Sequence, residues 1–180
     1  MRSLTRLLCA FALLPSVAFA QSPGEVRKKA ESGHANSQYG IGVLYENGIG
    51  VPKDYAEAVK WYRLAADQGE AGAQFRLGYM YDNGEGVPKD DAEAVKWYRL
   101  AADQGYALPQ FNLGLKYFNG EGVPKDLVQA HAWWNIAGAS GDEDAKKNLA
   151  IVEKQMTSEQ KAEAMKLARE MFARIEAKKK

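Results

Sequence analysis

Cysteine occurs once in the 180 residues, at Cys9, and histidine twice, at His34 and His131. The cysteine falls inside an apolar run, Leu7 to Leu14, that follows Arg2 and Arg6 and precedes the small-x-small triplet Ala18-Phe19-Ala20. That order of features reads as a secretory signal peptide over residues 1–20, with cleavage expected after Ala20 and Gln21 as the mature N-terminus. The competing reading is a permanent membrane anchor, but the run falls far short of the roughly 20 apolar residues a spanning helix needs. Cys9 is also a poor lipid-attachment site, because Arg6-Leu7-Leu8 lacks the small residues required just upstream. Cleavage would leave a periplasmic or secreted chain with no integral membrane segment. It would also leave no thiol for disulfides, metal or nucleophilic catalysis, so the chain must fold by packing alone.

Charge of one sign is missing too. Without Arg2 and Arg6, acids and bases nearly balance, so no global field points to nucleic acid. Only the two histidines could act as neutral-pH bases in the usual sense, and neither has a cysteine, serine motif or metal-ligand partner at a recognisable spacing. No catalytic set, metal site or cofactor site emerges. His131 stands where other copies of the repeat have Val59 and Val95, which predicts packing at a repeat junction. His34 falls on a turn and is expected to be solvated.

What is present is repetition. Gly48 to Gly69 reads GIGVPKDYAEAVKWYRLAADQG and Gly84 to Gly105 reads GEGVPKDDAEAVKWYRLAADQG, differing at two of 22 positions with a period of 36. A diverged third copy starts at Gly120, and Gly33, Gly69, Gly105 and Gly141 keep the same phase. Chains built this way stack supersecondary units into a solenoid. In the first segment of each unit Gln38, Ile41, Gly42 and Tyr45 recur as Gln74, Leu77, Gly78, Tyr81 and as Gln110, Leu113, Gly114, Tyr117. In the second, Ala58, Trp61, Tyr62, Ala65 and Ala66 recur at the same three-to-four spacing, which is one face of a helix. Glycine inside a helix costs about 1 kcal/mol relative to alanine, so Gly42, Gly78 and Gly114 predict close helix approach.

Punctuation sets the helix ends. Glycine follows each second helix where a left-handed cap is wanted, and Val-Pro-Lys-Asp delays the next helix until Asp54, Asp90 or Asp126 can cap it. First helices are predicted near 36–47, 72–83 and 108–119, and second helices near 55–67, 91–103 and 127–139. The domain reading is a leader at 1–20, an N-terminal capping helix at 21–32 with polar Glu25 and Lys28 at aromatic and apolar positions, three helix pairs at 33–140, and C-terminal capping helices with a basic tail at 141–180. Within the last part, 142–155 reads as a first helix with Ala150 at the glycine position. A lid helix then opens on Thr157 and Gln160 at capping-box spacing and shows Met165, Ala168, Phe172 and Ile175 along one face.

The run Ala73 to Gly105, AQFRLGYMYDNGEGVPKDDAEAVKWYRLAADQG, resembles the Sel-one-like repeat family, a relative of the tetratricopeptide repeat, and the resemblance extends over most of the chain beyond residue 20. It implies an all-α, right-handed solenoid of antiparallel helix pairs in 36-residue repeats, and adaptor roles in assembling complexes. It implies no particular partner. The family's cysteine-rich branch includes members described as binding or hydrolysing beta-lactams. An envelope hydrolase or beta-lactam binder is therefore the alternative reading, but one that lacks the cysteines of that branch.

The leading expectation is a noncatalytic adaptor that binds another protein. Tyr39, Phe75 and Phe111, with Val43, Tyr79 and Leu115, form two apolar columns beside the core face of the first helices, a side that is concave in related solenoids. Asn47, Asn83 and Asn119 end the same helices and could grip a ligand backbone or cap the helix. The columns could equally be inter-repeat packing. The Gly-x-Gly loops follow helices rather than strands, which makes them structural rather than phosphate-binding. Asp67 and Asp103 lie at helix C-termini, where the dipole disfavours anions, and their duplication reads as solvated surface. Lys154, Lys161, Lys166, Arg169, Arg174 and Lys178 to Lys180 outnumber the acids around them, which permits contact with an anionic membrane or envelope polymer, against a solvated tail.

Overall fold

The computed structural model describes residues 23–178, with side chains from Val26 onward; the expected signal segment 1–20 with Cys9, the expected mature terminus Gln21, the side chain of Glu25, and Lys179 and Lys180 lie outside the described residues. Every described element is helical: α1 Pro23–Glu31, α2 Ala35–Asn47, α3 Tyr55–Asp67, α4 Ala71–Asn83, α5 Asp91–Ala102, α6 Ala107–Asn119, α7 Leu127–Ala139, α8 Glu143–Val152, a 3₁₀ turn Glu153–Gln155, and α9 Ser158–Lys178. In the three repeats the helix ends agree with the period to within a residue. Each first helix pairs with the second helix of its own unit, α2 with α3, α4 with α5 and α6 with α7. Each second helix then packs on the next first helix. The chain is thus an all-α solenoid whose core is a continuous seam between neighbours.

Local chemistry fixes the joints. Asp54, Asp90 and Asp126 have extended backbones, and their carboxylates accept the N–H of Glu57, Glu93 and Gln129, each at 3.0 Å. At the turn after α5, Gly105 has φ of 91°, a left-handed conformation that a side chain would strain. The helix glycines are explained by contact. A Cβ on Gly42 would lie 2.5 Å from the Tyr62 ring, one on Gly78 2.7 Å from Tyr98, and one on Gly114 2.2 Å from the Trp134 indole. Each of those rings is fully or almost fully buried.

Polar groups inside the seam are paired in a repeating way. Gln38, Gln74 and Gln110 donate to the carbonyls of Ala30, Ala66 and Ala102 at 3.2, 3.2 and 3.1 Å. Gln68 and Gln104 of the same units donate in turn to Gln38 and Gln74. Between units, Arg27 donates to the Tyr45 hydroxyl, Arg63 to that of Tyr81 and Arg99 to that of Tyr117. The last link changes character. His131, 2% exposed, sits at the α7–α8 junction as its repeat position predicts, with Nε2 3.2 Å from Glu153 Oε1. His34 is exposed beside the start of α2.

Several expectations need correction. On α9 the buried face is Ala164, Ala168, Met171 and Ile175, whereas Met165 and Phe172 are 49% and 44% exposed. Both sets have helical spacing, and the packing partner chooses between them: α9 lies along α7, not along α8. No second helix therefore packs on α8 as in the repeats, so Ala150 is exposed and the helix buries Ala145 and Val152 instead. Asp103 is not simple solvated surface. It accepts Arg174 at 3.2 Å and Lys178 at 3.5 Å, which draws part of the basic tail onto the repeats. The capping box at Thr157 and Gln160 forms, with reciprocal bonds of 2.9 and 3.2 Å. Among the described residues no helix is long and apolar enough to cross a membrane.

Candidate functional site

The two columns lie on α2, α4 and α6 because the period places Tyr39, Phe75 and Phe111, and Val43, Tyr79 and Leu115, at one angular position on successive first helices. Neither column is fully exposed nor fully core. Tyr39 leans on Tyr62 with ring centroids 5.7 Å apart, and Phe75 on Tyr98 at 5.9 Å. The Phe111 carbonyl accepts the Trp134 indole N–H at 3.1 Å. These three residues, Tyr79 and Leu115 are partly buried, each with one side packed on the core, whereas Val43 is 9% exposed and belongs mainly to the core. Burial raises the Tyr39 and Tyr79 phenol pKa values, so both hydroxyls stay neutral donors at physiological pH.

The asparagines close one edge of this surface. Asn47 and Asn83 are exposed and donate back to the carbonyls of Val43 and Tyr79 at 2.9 Å, which is the capping role, while Asn119 donates to Glu121 Oε1 at 3.2 Å. Their side-chain amide donors are thus used within the chain. The apolar surface extends beyond the two columns. Tyr106 and Leu108, 42% and 41% exposed, stand in the third unit where the second has Glu70 and Gly72, and continue the apolar surface toward the start of α6. The signal was available as a polar-to-apolar exchange at fixed repeat phase.

Beside the columns the first two units each hold a carboxylate. Glu46 accepts the Tyr62 hydroxyl and Arg76, the latter at 3.2 Å, and Asp82 accepts the Tyr98 hydroxyl at 3.1 Å together with Lys116. In the third unit Phe118 replaces the carboxylate and packs on Trp134 with centroids 5.5 Å apart. These charges are consumed inside the chain, so the columns present a largely uncharged face.

A separate trough of about 470 Å³ lies between the start of α7 and α9, lined by Asp126, Val128, Gln129, Glu163, Lys166 and Leu167 among others. It brings together acids and one lysine without a nucleophile. Among the described residues no group of His, Cys, Asp and Glu is arranged to hold a metal ion.

Residues 35–70, 71–106 and 110–142 each match the Sel1 repeat. Among solved structures, the chain is similar to a Sel1 repeat protein from Oxalobacter formigenes, with 40% identity over 71% of this chain and 96% of that one and a TM-score of 0.66. It is also similar to c5321, a protective antigen present in uropathogenic Escherichia coli strains displaying an SLR fold, at 32% identity and a TM-score of 0.66. That match covers 83% of this chain but 40% of the longer c5321 chain. None of the curated proteins compared matches it.

Proposed function

Since the chain belongs to the Sel1 repeat family, we propose that it is a noncatalytic adaptor, exported through its N-terminal leader to the periplasm or beyond, that holds a partner protein on the column face of its first helices. The observation that carries this reading is the recurrence of half-buried aromatic side chains at one surface position in all three units, Tyr39, Phe75 and Phe111, joined in the second and third units by Tyr79 and Leu115 while Val43 turns into the core, with the nearby charges already paired internally. A row of half-buried aromatics fixed by packing loses little side-chain entropy when a partner covers it, which is how interface anchors work. The exposed asparagines Asn47, Asn83 and Asn119 at the ends of the same helices would border an extended backbone or a helix laid on this face.

The test is capture by crosslinking from the native envelope. Phe75→Ala with Phe111→Ala should weaken capture at least about tenfold. Leu115→Ser, which leaves the stacked rings in place, should weaken it while preserving the far-ultraviolet circular dichroism. Folded variants that capture the partner at wild-type level would remove the columns from the interface.

A further inference from the structure

We propose that the N-terminal edge of the solenoid is the contact surface of a symmetric dimer of this chain. The edge is a groove of about 250 Å³ lined by Ile41, Leu44, Tyr45, Ile49 and Val51, with Arg27 at its side. Ile49 is 54% exposed, in a loop whose other two copies carry Glu85 and Glu121 at that position. Leu44 likewise occupies the position of Met80 and Lys116, both buried. At the two internal junctions this surface is already an interface. A Cβ on Gly86 would lie 2.3 Å from the Tyr55 carbonyl, and one on Gly122 2.2 Å from that of Asp91, so each loop sits on the first turn of the preceding unit's second helix. Gly50 has no described atom within 4 Å of its Cβ position. The seat over Gly50 is thus open among the described residues.

Elsewhere in this chain an exchange of charge for neutral side chains marks a covered face. Lys60 and Lys96 become Ala132, which is fully buried, and Glu57 and Glu93 become Gln129, on the side of α7 that turns away from α8 toward α9. Ile49 is the same kind of exchange with nothing described over it. A second copy fits the seat for three reasons. The edge continues the apolar surface that this chain uses to stack its own units. Its one charged lining group among the described residues, Arg27, is already bonded to the Tyr45 hydroxyl at 3.0 Å. And α9 covers the outer side of the last repeat, so contact through the open edge pairs two identical surfaces and closes at two copies instead of growing into a filament.

Sedimentation velocity over a concentration series should show a monomer–dimer equilibrium and no larger species. Ile49→Glu installs the residue that the other two loops carry without loss of fold. It should weaken the dimer by about tenfold or more, as should Leu44→Lys, with circular dichroism unchanged in both. Column variants such as Leu115→Ser should leave it intact, which separates this proposal from the adaptor surface. A chain that stays monomeric throughout, a dimer indifferent to Ile49→Glu, or growth beyond two copies would each overturn the proposal. So would a monomer whose Leu44 to Val51 amides lose hydrogen-exchange protection when the chain starts at Gln21, because residues ahead of α1 would then be the occupant.

Discussion

Lys116 Nζ stands 2.8 Å from Asp91 Oδ1, and because it also bonds Asp82, one ammonium from α6 ties both helices of the preceding unit together. Glu121 completes the set at 3.0 Å. The lysine is 4% exposed in the position that Met80 fills with an apolar chain one unit earlier. Burial disfavours its charge, yet the bonds from Asp82, Asp91 and Glu121 outweigh that and hold its pKa above the ordinary lysine value.

Lys116→Met, which places a methionine where the second unit already has one, should therefore cost about 1 to 3 kcal/mol at neutral pH by stranding the carboxylates. Asp91 is held below the usual carboxylate range, first by its hydrogen bond to Lys116. A depressed folded-state pKa contributes stability that is present above the unfolded value near 4 and is lost as pH falls through the folded value. Urea titrations at neutral pH and below pH about 4 should show a gap between wild type and variant that narrows in acid. A gap that widens in acid would refute this assignment.

Gly78→Ala should destabilise the second unit by about 1 to 3 kcal/mol despite the higher helix propensity of alanine, because its methyl would overlap the buried Tyr98 ring. Thermal unfolding of Gly78→Ala beside Gly78→Ala with Tyr98→Leu provides the check, since shortening the ring should recover part of the loss.

Met171 and Phe172 are neighbours with opposite fates on α9. Met171→Ala should cost about 2 to 4 kcal/mol, since its side chain is 5% exposed against α7. Phe172→Ala should stay within about 0.5 kcal/mol. Chemical denaturation followed by tryptophan emission should also report the first change, because Trp133, 2% exposed, belongs to the cluster that Met171 helps close.

Removing one period, residues 69–104, should leave a shorter helical solenoid, because units contact only their neighbours and the deletion rejoins equivalent positions. Removing residues 84–121 breaks the phase and should unfold the C-terminal part. Circular dichroism of the two deletions distinguishes them, and equal loss of helicity would argue against nearest-neighbour stacking.

If the leader is processed as proposed, mass spectrometry of the chain recovered from the envelope should give Gln21 at the N-terminus. An intact Met1 in a cytoplasmic fraction would count against export.

The sequence by itself determined the helix spans, the capping aspartates, the glycine contacts and the burial of His131. In a one-dimensional stack every such feature recurs at a fixed offset and is satisfied by a neighbour one period away. It left open whether the columns are groove or core, because a half-buried ring on a helix shoulder has the same spacing either way. Only the tertiary structure decided how α9 lies. Ala164, Ala168, Met171 and Ile175 compete with Met165 and Phe172 for burial, and the choice depends on a surface of α7 far away in sequence. Ala132 and Gln129, in place of lysine and glutamate, held the clue that this surface is covered. The Asp103–Arg174 pair was beyond sequence altogether, because a salt bridge across 71 positions exists only once packing has brought two helix ends together.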